Sequence, residues 1–236
     1  MSARVIPIEI VSDTICPWYD LIIDEFACIT TAIFNGVLVR CFVGKRRLEK
    51  AIATAKNRNL PLEFKIKFKP FQLDPTLPKE GVSKIKRYEA KFGPGRIQQM
   101  IPHMQVVGAA EGIRFSYDGL IASTIDSHRV LEYALQKGVQ LELVEELFKD
   151  YFERNKNIGD DEVLADAAAR VGLDKQEVLA YLKTDQGKHE VEEQIESAYR
   201  RRITGVPHFR INGTYSLGGA QDPEAFLEIF EALAKQ

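Results

Sequence analysis

Apolar and polar positions alternate along residues 5–12 (VIPIEIVS), the two-residue period of a half-buried strand. The period changes over residues 41–59, where Phe42, Leu48 and Ile52 recur among Lys, Arg and Ala with helical spacing. Alternation returns over residues 62–73, which predicts a strand with Leu62, Phe64, Ile66 and Phe68 on one side, ended by Asp74-Pro75. From about Lys79 to Arg202 the pattern is helical, most clearly from Phe115 to Gln136 and from Leu141 to Asn155. Asp160 and Asp174 stand where N-terminal caps of the next two helices belong. Strand alternation reappears at Pro207–Ile211 and Thr214–Leu217, divided by Asn212-Gly213, a strong hairpin signal. Asp222-Pro223 then opens a last helix with proline in its first turn.

The order is strand, helix, strand, long helical block, hairpin, helix. A β-α-β unit completed by a β-hairpin and a closing helix is thioredoxin topology. The expectation is an α/β protein: a thioredoxin-like fold with an inserted all-helical domain. Residues 1–78 and 203–236 form the thioredoxin-like part, and 79–202 the inserted helical domain.

Composition narrows the function. The 236 residues are 45% hydrophobic and 28% charged, as in a folded soluble domain. A net charge of -2 and a pI near 6.1 disfavour a nucleic-acid partner. The basic runs Lys84-Ile85-Lys86-Arg87 and Arg200-Arg201-Arg202 read as solvated helix faces. The most apolar window, Ala27 to Val39, is broken by Thr30, Thr31, Asn35 and Gly36, so no membrane span is expected. No secretory leader pattern is visible, which makes a cytoplasmic location the expectation and Asn212-Gly213-Thr214 a turn rather than a glycosylation site. The four histidines lack metal-ligand spacing, and Gly44-Lys45 lacks the upstream glycine of a phosphate loop. Three cysteines are too few for a disulfide scaffold and point to chemistry, burial or accident.

Cys16-Pro17-Trp18 directly follows the first strand. A thiol at the turn into a helix meets unpaired N–H groups and the positive end of the helix dipole, which favour the nucleophilic thiolate. Position 19 is Tyr, so no second cysteine follows one turn later; the next matching segment begins at Cys41. With Tyr19 through Arg40 removed, the text becomes SDTICPWCFVGKRRLEKAI. It closely resembles the active-site region of the DsbA-like oxidoreductases, of the FrnE-type subgroup. Phe71-Gln72-Leu73-Asp74-Pro75, Ser123 through Arg129, Leu147 through Asp174, Thr204-Gly205-Val206-Pro207 and the hairpin running to Gln221 resemble further segments of that family in order.

The resemblance implies a thiol–disulfide oxidoreductase in which Cys16 exchanges with substrate and Cys41 resolves. Pro17 and Trp18 would shape the redox dipeptide. Val206 and a cis Pro207 would hold an extended substrate segment; a trans proline at a strand edge is the plain alternative. His128 and Arg129 lie on a helix that the family places near the active-site face, as supporting groups or as packed ones. Ser123 stands where the family usually has Asn. His208 follows the candidate cis-proline, as a modulator of Cys16 or as a surface strand residue. No bound cofactor is implied, with glutathione as a candidate thiol co-substrate. The expected partners are dithiol or disulfide proteins, for a monomer or homodimer. The rival is a glutathione-dependent transferase or isomerase of the kappa or 2-hydroxychromene-2-carboxylate isomerase type, which typically has Ser at the position of Cys16. An inactive isoform is a third reading.

Residues 19–40 split a motif that needs its cysteines together. Codons for Trp-Tyr-Asp and Val-Arg-Cys can contain a GTAYGA donor and a YAG acceptor, and removal between them keeps the frame and leaves Trp-Cys. The block therefore reads as a translated, unspliced intron. The alternative is a genuine loop that lets Cys16 and Cys41 meet, since closure cost grows slowly with length. Cys28, inside the block, reads as an incidental thiol.

Overall fold

The computed structural model describes residues 3–16 and 40–236, with Arg40 described by its backbone alone. Pro17, Trp18 and Cys28 lie outside the described residues, as does the block 19–40 except for the backbone of Arg40. The elements run β1 (Arg4–Ser12), α1 (Arg40–Asn57), β2 (Leu62–Pro70), β3 (Val82–Ser83), α2 (Lys84–Phe92), α3 (Pro94–Ala110), β4 (Leu120–Ile121), α4 (Ile125–Gln136), α5 (Gln140–Phe152), α6 (Asp161–Arg170), α7 (Lys175–Leu182), α8 (Lys188–Arg200), β5 (His208–Ile211), β6 (Tyr215–Gly218) and α9 (Pro223–Ala234).

The main sheet has the order β2-β1-β5-β6. β1 and β2 are parallel, as a helical crossover requires, and β1–β5 and β5–β6 are antiparallel. Alternation puts Ile6, Ile8 and Ile10 of β1 on one face, level with Phe209 and Ile211 of β5, all buried. The aromatic core continues from this face: Phe64 packs on Phe230 of α9, Phe209 edge-on against Phe226, and Phe68 and Phe42 against Phe148 of α5. The expected hairpin forms, with Asn212 and Gly213 both at positive φ and Thr214 N–H donating to Ile211 O. Asp160 and Asp174 cap α6 and α7 through their carboxylates, and Pro223 opens α9.

Three expectations are corrected. β2 stops at Pro70 rather than at residue 73, because Leu73 N–H is taken by the buried carboxylate of Asp13 at 2.7 Å, which turns the chain out of the sheet. The segment from Phe115 to Thr124 is not helical. It runs extended, with Phe115 and Tyr117 buried at a two-residue spacing, and Leu120-Ile121 pairs with Val82-Ser83. The inserted block is thus helical apart from this short ribbon. Lys84 is not on a solvated face: it is 2% exposed, its Nζ donates to Tyr151 O at 2.9 Å and lies 4.0 Å from the Tyr151 ring centre. At the edge of the sheet, the Gln140 side chain accepts from Phe68 N–H at 2.9 Å and donates to Phe68 O at 3.1 Å.

Candidate active site

β1 ends at Ser12, and Cys16 N–H donates to Asp13 O at 3.1 Å, closing a turn that leaves the Cys16 thiol beside the main chain of Val206. The distance from Cys16 Sγ to Val206 O is 3.5 Å. Val206 and Pro207 are joined by a cis peptide bond. Among the described residues the first helix starts at Arg40, so Cys41, not Cys16, lies in its first turn. Both cysteines are buried and unbridged. The Cys41 thiol lies close enough to Cys16 for that neighbour to raise its pKa. Two thiols 25 positions apart in the chain thus meet at the C-terminal end of β1 and the N-terminal end of α1.

Burial pushes the Cys41 thiol well above the usual range, and the neighbouring Cys16 adds to the shift; the Ser12 hydroxyl and the Asp13 backbone pull it back. Desolvation therefore outweighs the favourable end of the helix. A thiol of this kind is protonated at neutral pH and becomes a nucleophile only when its proton is removed.

The close approach of α1 to the Val206–Pro207 loop depends on Gly44. A methyl group there would stand 3.0 Å from Pro207 Cγ and 3.1 Å from Phe209 Cζ. One residue on, Lys45 bonds Glu145 of α5 at 2.7 Å, and Arg46 bonds the same carboxylate. Burial opposes the charged form of Glu145, yet the hydrogen bonds and charges of Arg46 and Lys45 prevail and hold it at about 2.

The remaining candidates separate. His128 is buried, with Nε2 2.9 Å from Phe71 O and 3.6 Å from Asp13 Oδ1. Arg129 serves packing: it donates to the carbonyls of Tyr181 (3.1 Å), Thr184 (2.5 Å) and Gln186 (3.0 Å) and to Asp126 (2.7 Å). His208 pairs with Val11 across the sheet and bonds Ser216 Oγ at 2.9 Å. Burial, then the nearby Arg201, holds its pKa below the ordinary value.

Asp13 escaped the sequence reading, although an acid three positions before Cys16 was a signal in plain view. It is fully buried, and its backbone faces Cys41. Tyr88 of α2 and Tyr151 of α5 also escaped it. Their hydroxyls are 3.1 Å apart, and both feel the charge of Cys16. Burial raises the pKa of each, so neither ionises at neutral pH. Among the described residues no group of His, Cys, Asp and Glu is arranged to hold a metal ion, and no helix is long and apolar enough to cross a membrane.

Comparison with known proteins places the fold. A solved structure described as a probable DsbA oxidoreductase from Streptomyces coelicolor is 28% identical, with a TM-score of 0.80 over 98% of this chain and 91% of that one. The uncharacterized protein YwbO of Bacillus subtilis is 25% identical over 183 residues, 76% of this chain and 84% of that protein. The thiol:disulfide interchange protein DsbA of Pseudomonas aeruginosa is 28% identical over 101 residues, 42% of this chain and 48% of its own length. The profile of the DSBA-like thioredoxin domain matches residues 40–231, and the chain belongs to that family.

Proposed function

We propose that the protein is a thiol–disulfide oxidoreductase in which Cys16 attacks a substrate disulfide and Cys41 resolves the mixed disulfide. The observation that carries this reading is the contact between the two thiols across 25 positions of sequence. Cys16 is the partner aimed at the Val206 carbonyl, where an extended substrate segment would pair, so it is the exchanging thiol. Cys41, buried and protonated, is suited to the second step. A relative that acts in thiol:disulfide interchange supports the same reaction class. Substrates are disulfide or dithiol proteins, with glutathione as a small co-substrate. The paired thiols weigh against the glutathione-dependent transferase or isomerase reading, whose single hydroxyl would do neither step.

The test is reduction of insulin by dithiothreitol. The wild-type chain should accelerate it, Cys16→Ser should return the rate to the uncatalysed level, and Cys41→Ser should accumulate a mixed disulfide visible by mass spectrometry. Acceleration retained in Cys16→Ser would remove Cys16 from its role. Pro17 and Trp18 keep their proposed part in shaping the site. A chain lacking residues 19–40 tests the intron proposal: it should fold and exchange at least as fast as the full chain, and sequencing of the transcript across Trp18 and Cys41 gives the natural junction.

A further inference from the structure

Beneath the thiol pair, between the ends of β1 and β2 and the helices α4 and α5, lies a cavity of about 10 Å³. That is room for on the order of one water molecule. Ser12, His128, Glu132 and Lys69 are among the residues that line it, with the Lys69 ammonium bonded to Gln194 Oε1 at 2.9 Å. Ser12 faces two ways: it lines the cavity, and its hydroxyl is near enough to the Cys41 thiol to favour the thiolate. Glu132, on α4, is 6% exposed, and its Oε1 is buried with no hydrogen-bond partner among the described residues. A buried carboxylate oxygen without a partner is costly and calls for a reason. The charged and titratable groups around Glu132 are Lys69 from β2, His128 from the preceding turn of α4, and Tyr181 from α7, which in turn feels Glu190 of α8. Lys69 also lines a groove of about 230 Å³ between β2 and α8, so the cavity wall continues to the surface.

We propose that Glu132 receives the proton of Cys41, passed through the Ser12 hydroxyl and a water in this cavity. The proposal rests on the dithiol-exchange reading. In the mixed disulfide, Cys16 Sγ is bonded to a substrate sulfur. The Cys41 proton moves to Ser12, whose own proton moves through the water to the Glu132 carboxylate. The electron pair left on Cys41 Sγ attacks Cys16 Sγ. The Cys16–Cys41 bond forms, the bond from Cys16 to substrate breaks, and its electron pair leaves on the substrate sulfur. The two protein thiols are oxidised by two electrons and the substrate disulfide is reduced by two. Glu132 returns its proton to solvent on the Lys69 side. Glu132 touches neither sulfur, so it is a positioning residue for the proton, and it comes from the inserted block rather than from the sheet that carries the cysteines.

The experiment uses the full chain with Cys28→Ser and the probe 5,5′-dithiobis(2-nitrobenzoate). Attack by Cys16 releases one thionitrobenzoate and leaves the other on Cys16; attack by Cys41 releases the second, and stopped-flow absorbance reads that phase. Glu132→Gln should slow the second phase about tenfold or more near pH 7, with the gap closing as hydroxide takes over near pH 10. Glu132→Asp should restore most of the rate, and Ser12→Ala should reproduce the loss from the other end of the route if Glu132→Gln folds poorly. An unchanged second phase in both Glu132→Gln and Ser12→Ala, or slowing by the same factor at every pH, would overturn the route. No second phase in the wild type would overturn the dithiol reading itself, and this route with it.

Discussion

The two halves of the molecule contribute differently to one site. The sheet with α1 and α9 brings both sulfurs and the Val206 carbonyl within bonding reach of one another. The inserted block brings no cysteine. It supplies the buried Tyr88 and Tyr151, which feel the charge of Cys16, and the buried His128 and Glu132 on α4. The reacting atoms thus come from one half, and the other half contributes buried polar groups around them. Substitutions in the first half should change whether exchange occurs, and those in the second its stability and its pH response.

The largest effect expected on this basis is the loss of exchange in Cys16→Ser. The sharpest contrast comes from Arg129→Met in the insertion. It strips three carbonyls and the Asp126 carboxylate of their buried partner. Thermal unfolding should show a loss of about 3 kcal/mol. The exchange rate per folded molecule should stay within a factor of about two of wild type; a collapse of that rate would place Arg129 in the chemistry and break the division.

Glu145 joins the halves, so its replacement measures the seam. Its carboxyl lies at about 2 against an ordinary 4.5, so the stabilisation is complete above pH 4.5 and is lost as pH falls through 2. Glu145→Gln should cost about 1–2 kcal/mol at pH 7, allowing for solvent screening, and should flatten the acid limb of a denaturation curve. Gly44→Ala is the smallest in energy, about 1 kcal/mol from crowding Pro207 and Phe209. Because it shifts the loop that faces substrate, KM for a disulfide peptide should rise a few-fold with little change in kcat. An equal fall in kcat would mean that α1 itself, with Cys41, has moved.

Local signals in the sequence were enough for much of the fold. The alternation of β1, the Asn212-Gly213 turn and the caps Asp160 and Asp174 each act within a few residues, and each forms as expected. Failures arose where distant groups decide. Asp13 ends β2 from the next strand, and β3 lends Leu120-Ile121 the hydrogen bonds that make it extended despite a helical period. In the site, Cys16, Cys41, Val206 and Pro207 were named from sequence, and their approach to one another is a property of the fold. Lys84 read as part of a solvated face because its run is basic; only the packing of α2 against the rest shows it to be buried, and Glu132 drew no reading at all.

The amide of Gln140 has one further consequence. β2 is an outer strand, and the outer edge of a sheet invites another strand to add to it. At Phe68 that invitation is withdrawn, since a side-chain amide already occupies both the donor and the acceptor that an incoming backbone would use. The sheet is therefore closed to strand addition at this point of its β2 side. A fibril or a swapped dimer growing through β2 would first have to evict Gln140. An extended peptide approaching the thiols is left with the loop before β5, where the Val206 carbonyl lies beside Cys16.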